Sequence, residues 1–277
     1  MANFGAGLVA AVLKASSIAA TKQVSRNSCI WLQAQQCATM IVIPTAIWAH
    51  YIGDLAAWSS AAALGIWQNR RWPKQTTELS RSTDPGYFLA LSISALIGAW
   101  VFGSANTASV SFAPSHSIAG ALAGGIVGVE VWKIRHGIRR STGGAFVLPL
   151  SIGIIIGRFG CLFSGIPDYT YGIPTSLPWA VVLGDGIARH PVQIYESMIM
   201  ALFLMTYLHA RLKGREWAVS HGFHAMIIVY ATQRFLLEFL KPYPKLIGPL
   251  NVFHLLMIGL VIYGVIWWNQ GKDREIA

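Results

Sequence analysis

Arg158 closes the apolar run SIGIIIGRFG, and Arg234 stands inside VYATQRFLLEFLKPYPK. A guanidinium beside hydrocarbon is costly, and such groups usually mark a site. Its planar fork can hold a phosphate through two parallel hydrogen bonds, a geometry lysine cannot match. The chemistry suggested is capture of an anionic, amphipathic ligand, for which a phospholipid is the natural candidate. A lone arginine could instead snorkel to the interface. At Arg158 the flanking Gly157 and Gly160 favour the site, because backbone can approach there and leave room for a headgroup.

Around Arg234, Tyr230 and Glu238 recur at a spacing of four and share one helical face. One reading is a polar stripe in which Glu238 neutralises Arg234. The other has Tyr230 and Arg234 facing the same cavity as Arg158, with Glu238 as charge partner in both. Between the two arginines lies RHPVQIYE. Pro191 suits a first helical turn, from which Gln193 and Glu196 project, and Glu196 sits well against the helix dipole. Arg189 and His190 precede that turn and could reach an anion at the helix N-terminus. A plain cap with interfacial charges explains the same residues.

Other candidates carry less. Gly120, Gly124 and Gly128 recur every four residues, which close helix packing explains. The three cysteines, Cys29, Cys37 and Cys161, have neither an even count nor metal-ligand spacing, which argues against a disulfide framework or zinc site. Cys161 is three residues from Arg158, which would favour its thiolate, although a membrane cysteine is usually a small buried apolar group. His221 and His224 have no acidic ligand nearby and read as interfacial.

The elements that must position these residues follow from composition. Hydrophobic residues make up 54% of 277 and charged residues 12%, where a soluble domain carries about 25% charged. The apolar residues fall in blocks of about 18 to 22, the length that crosses a bilayer as a helix. The expected fold is an all-α polytopic membrane protein with about seven transmembrane helices, near 50–69, 86–104, 117–134, 145–163, 193–211, 222–240 and 250–269. Residues 1–49 read as a peripheral or re-entrant extension. They have no basic start, and Lys14 breaks their apolar run, which speaks against a cleaved signal peptide. Residues 50–277 form the transmembrane domain.

Thirteen of the 21 Lys and Arg fall in alternate connections, from Arg70 to Arg81, Lys133 to Arg140 and Arg211 to Arg215, and after the last span. By the positive-inside rule these face the cytoplasm, with the C-terminus, while the N-terminus lies outside. Arg158, Arg234 and RHPVQIYE then lie toward the outer face. The net charge of +10 needs no nucleic acid to explain it.

The strings GRFGCLFSG, YGIPTSLPW, RHPVQIYE and YATQRFLLEF, in that order, resemble the prolipoprotein diacylglyceryl transferase family over about residues 50 to 269. The resemblance implies transfer of diacylglycerol from phosphatidylglycerol to the thiol of a lipobox cysteine, outside the cytoplasmic (inner) membrane, with release of glycerol phosphate. Arg158 matches the arginine of the family's GRxxNFxNGE motif. Tyr230 and Arg234 match the tyrosine and arginine of the penultimate helix. Departures accompany these matches. Ala119 stands where the family has the histidine of HGGL, with His116 three residues upstream as a substitute. Cys161 and Ser164 replace the two asparagines, and Ile166 the glutamate, with Asp168 a stand-in. Gly98-Ala99-Trp100 stands for Gly-Ala-Arg, and His254 falls where glutamine is common.

The implied mechanism has Arg158 and Arg234 clamping the phosphate, Arg189 and His190 near the mouth, and His190 or His116 as base. Tyr230 donates to the lipid, and no metal or other cofactor is needed. Two alternatives stay open: a related transferase with another thiol or alcohol acceptor, and a lipid-binding membrane protein without catalysis.

Overall fold

The computed structural model describes residues 41–73, 84–107 and 115–274. All seven expected stretches are helices. In chain order they are α1 (Ala49–Arg71), α2 (Pro85–Thr107), α3 (Ile118–Arg135), α4 (Val147–Ser164) and α5 (Val192–Leu212), then, after the short α6 (Glu216–Ser220), α7 (Gly222–Glu238) and α8 (Val252–Arg274). Among the described residues, three stretches are long and apolar enough to cross a membrane: Pro85–Asn106, Gly143–Ser164 and Val252–Gln270. The others are shorter or carry charge. α7 has 17 residues and holds Arg234 and Glu238, and α3 has 18 and holds Glu130, Lys133 and Arg135.

Local chemistry sets several ends. The Ser117 hydroxyl accepts the Gly120 N–H at 3.3 Å and caps α3. Gly165, at φ 76°, takes a conformation that L residues rarely adopt and turns the chain out of α4. The helices pack as α2 on α3, α1 on α4, α4 on α5, and α7 on both α5 and α8. Two of these contacts rest on glycine. A Cβ on Gly120 would run into the Gly98 carbonyl, and one on Gly160 would lie 2.9 Å from the Gly53 Cα. The core joins Val147 and Leu148 to Met200, Met226, Ile227 and Met257. Outward faces expose Leu96, Leu202, Met205, Leu236 and Ile262.

The all-helical expectation needs one amendment. β1 (Ile41–Val42) pairs in parallel with β2 (Val181–Val182), which pairs antiparallel with β3 (Ala188–Arg189). This small sheet organises the connection between α4 and α5. Ile173 N–H then ties the same connection to Leu240 O, just past α7, at 2.7 Å. Of the expected N-terminal extension, residues 1–40 lie outside the described residues.

A polar network joins α3 to α8. Lys133 donates to both Glu130 carboxylate oxygens, at 2.9 and 3.1 Å, Tyr263 donates to Glu130 at 2.9 Å, and the Lys133 ammonium lies 4.7 Å from the Trp267 ring centre.

Candidate functional site

Glu196, in the second turn of α5, is fully buried and is the centre of the site. Arg158 Nε of α4 reaches Glu196 Oε2 at 2.6 Å. Arg234 Nη1 of α7 reaches Oε1 at 2.5 Å, and Lys241 Nζ reaches Oε1 at 2.8 Å. Three cations from different segments thus share one carboxylate. Arg234 also pairs through Nε with Glu238 Oε2 at 3.1 Å, one turn along α7, and its guanidinium lies over the Phe253 ring. Glu238 accepts from Asn251 Nδ2 at 3.0 Å, and Asn251 in turn holds His254.

Breaking a buried pair by removing one partner costs about 3–5 kcal/mol, so such a cluster persists only when charges answer one another. Here Arg158, Arg234 and Lys241 face Glu196 and Glu238, leaving one positive charge in excess. Lys241 lies just beyond α7. Its burial is the main influence and pulls its ammonium down to about 8, with Arg234 adding to the fall and Glu196 opposing it. The Tyr230 hydroxyl is buried beside these charges and has no hydrogen-bond partner among the described residues. Gln193, one turn before Glu196, donates to Thr170 Oγ1 at 3.3 Å, and its Oε1 is likewise buried without a partner.

Of the residues singled out from sequence, the fold brings together Arg158, Arg234, Glu196 and Tyr230, with Gln193 beside them. Glu238 is Arg234's partner, as the spacing of four suggests. Glu196 is not a dipole cap, since it bridges three cations. Gly160 does not make room for a headgroup, because the Gly53 backbone of α1 fills that space; Gly157 also faces α1, at Ala57. Arg189 is held elsewhere. It donates to Asp185 Oδ2 at 2.7 Å and to Gly172 O at 3.4 Å, and lies over Tyr171. Partial burial pushes the Asp185 carboxyl up, but hydrogen bonds from Arg189 and the Ile187 N–H hold it below the ordinary carboxylate range.

Neither expected base reaches the cluster. His190 is half-buried with its ring edge toward Tyr195, and His116 is exposed at the start of α3; no contact among the described residues joins either to Glu196 or its partners.

Lys241 is the member of the cluster that the sequence did not mark. It reads as an outer loop charge, yet it continues the stripe from Arg234 and Glu238 at positions four and seven, the spacing that could have revealed it. Asn251 and His254 carried no comparable signal.

A family profile described as prolipoprotein diacylglyceryl transferase matches residues 60–269. The phosphatidylglycerol–prolipoprotein diacylglyceryl transferase of Finegoldia magna is 33% identical over 133 residues, covering 47% of this chain and 51% of that protein. Those of Solidesulfovibrio magneticus and Nitratidesulfovibrio vulgaris are 33% identical over 158 residues and 34% over 166. They cover 51% and 56% of this chain and 57% and 60% of their own lengths. The chain thus spans little more than half the length of these curated relatives. No solved structure matches it.

Proposed function

Because the chain belongs to the prolipoprotein diacylglyceryl transferase family, we propose that it transfers the diacylglyceryl group of phosphatidylglycerol to the lipobox cysteine of a prolipoprotein. The relatives' names specify that lipid and that class of acceptor. The observation that carries the reading is the convergence of Arg158, Arg234 and Lys241 on the buried Glu196. The excess positive charge of this cluster is complemented by the headgroup phosphate. In the reaction the acceptor sulfur bonds to the diacylglyceryl carbon, the bond from that carbon to the phosphate oxygen breaks, and glycerol phosphate leaves with both bonding electrons. The thiol proton passes to a base or to solvent. Negative charge grows on the departing phosphate, where fixed donors act most strongly.

Arg158 spends Nε on Glu196. Its Nη1 lies 3.9 Å from Cys161 Sγ, and the planar fork of the guanidinium suits an incoming phosphate. The Tyr230 hydroxyl, without a partner among the described residues, supplies a further donor to the lipid.

The proposed setting is a bacterial inner membrane crossed by all seven long helices, with the C-terminus cytoplasmic and the N-terminal region outside. Lys133, Arg135, Arg139 and Arg140, and Arg211, Lys213 and Arg215, then mark the cytoplasmic side. The Glu196 cluster lies toward the outer face.

One observation favours a second acceptor. Ala119, buried at the start of α3, offers no titratable group at the position of the family histidine. Incubating the purified protein with phosphatidylglycerol and a lipobox peptide, followed by mass spectrometry, separates the readings. A thioether adduct of diacylglyceryl mass supports the lipobox reading. Lipid consumption only with other thiols or alcohols supports the second acceptor, and lipid binding without turnover contradicts both.

A further inference from the structure

A second group of side chains adjoins Arg158, whose Nη1 lies 3.9 Å from Cys161 Sγ. α1 and α4 cross where Gly53 meets Gly160, with the backbones in contact. That crossing brings His50, three residues before Gly53, against Cys161, the residue after Gly160. The turn at Gly165 then returns the chain so that Asp168 reaches the same place. One donor atom from each of His50, Cys161 and Asp168 lies within 4.8 Å of the other two. His50 Nδ1 is 2.9 Å from Asp168 Oδ1, and Cys161 is buried.

We propose that His50, Cys161 and Asp168 form a binding site for a transition-metal ion of the zinc class. Imidazole nitrogen, thiolate sulfur and carboxylate oxygen are the donors zinc takes, at about 2.0–2.3 Å, and a thiolate with an imidazole disfavours magnesium and calcium. Tetrahedral bonds of those lengths put donors about 3.3–3.8 Å apart. The three atoms therefore need side-chain adjustments of about 1 Å and no backbone change.

The surroundings match those of a metal ligand set. His50 Nε2 is 3.4 Å from Asp54 Oδ2, so the ring nitrogen opposite Nδ1 faces a carboxylate, the arrangement that fixes a ligating imidazole. Asp168 Oδ2 accepts from Thr170 Oγ1 at 2.6 Å, which leaves Oδ1 for the ion. Thr170 is itself held by Gln193, beside Glu196.

Three protein ligands leave the fourth tetrahedral position open, the pattern of catalytic zinc. A thiol that binds there is deprotonated outright. This consequence rests on the transferase reading, whereas metal binding itself does not. It would supply the thiolate that neither His190 nor His116 is placed to generate, next to Arg158.

The test uses the full chain in detergent, with Cys29→Ser and Cys37→Ser so that Cys161 is the remaining thiol. The protein is stripped with a chelator and titrated with cobalt(II). The expected result is one cobalt per chain with a near-ultraviolet thiolate-to-cobalt charge-transfer band. Cys161→Ser removes the band, and Asp54→Asn weakens binding about 10–100-fold while leaving the three ligands in place. A folded protein that shows no band, or a band that survives Cys161→Ser, overturns the site and leaves an ion pair beside a buried thiol. The first of these outcomes needs no variant at the site to fold. A band without thioether formation keeps the metal site and sinks the transfer reading; thioether formation without a band does the reverse.

Discussion

Along α8 the protein holds two networks of charged side chains, and their charges balance differently. Near Tyr263, Lys133 meets Glu130, the tyrosine hydroxyl donates to the same carboxylate, and Trp267 covers the ammonium. One cation answers one anion. About 13 Å along the helix, near His254, three cations answer two carboxylates, while the Tyr230 hydroxyl and Gln193 Oε1 are buried without partners among the described residues. A balanced network needs no guest and serves as a helix-to-helix tie. An unbalanced one, built from fixed donors in apolar surroundings, is stabilised by an anion. Burial of charge is common to both, so the imbalance is what supports the proposed site.

The largest effect that separates the two networks is expected from Glu196→Ala. It strands Arg158, Arg234 and Lys241 without their shared carboxylate and costs about 3–5 kcal/mol. Thermal unfolding in detergent followed by size-exclusion chromatography reads it. An unshifted transition would mean that Glu196 does not organise the cluster. Next in size, Arg158→Ala and Arg234→Ala each lower turnover about 10²–10³-fold at normal membrane levels of protein. Arg158→Lys restores only part, because charge returns without the fork. Loss of the protein itself in both alanine variants would indicate a structural pair instead.

Glu130→Gln, in the balanced network, is expected to cost about 1–3 kcal/mol of stability and to leave the rate per folded molecule unchanged. A rate loss like that of Arg158→Ala would erase the distinction between the networks. The smallest effect concerns pH. Burial pulls Lys241 down to about 8, so as pH rises through that value the cluster loses its excess charge and phosphatidylglycerol binds more weakly. Lys241→Met should flatten that profile. Stability moves the other way. Between about 8 and the ordinary lysine value near 10.4 the unfolded chain binds more protons than the folded one, so neutralisation favours folding as pH rises. Affinity and stability falling together would contradict this assignment.

The sequence made some of this plain and hid the rest for physical reasons. An arginine in an apolar block is conspicuous at any distance from its partners, so Arg158 and Arg234 stood out. The stripe from Tyr230 to Glu238 is local, and helical periodicity reveals it. Glu196 lies 38 residues from Arg234, and nothing in RHPVQIYE says that its carboxylate turns inward rather than capping its own helix. His50 pairs with Asp168 through the crossing of Gly53 and Gly160, which no one-dimensional spacing encodes. The two-residue strands pairing Ile41–Val42 with Val181–Val182 are too short to show a period. Helices were legible because apolar block length is itself the physical requirement for spanning, whereas contacts between blocks depend on which faces meet.

The most direct test of the central claim measures lipid retention by native mass spectrometry on the purified protein reconstituted with phosphatidylglycerol. The unaltered chain and Glu130→Gln should each retain one phosphatidylglycerol, while Arg158→Ala and Arg234→Ala should lose it. Equal retention by all four would contradict the assignment of the Glu196 cluster as the headgroup site.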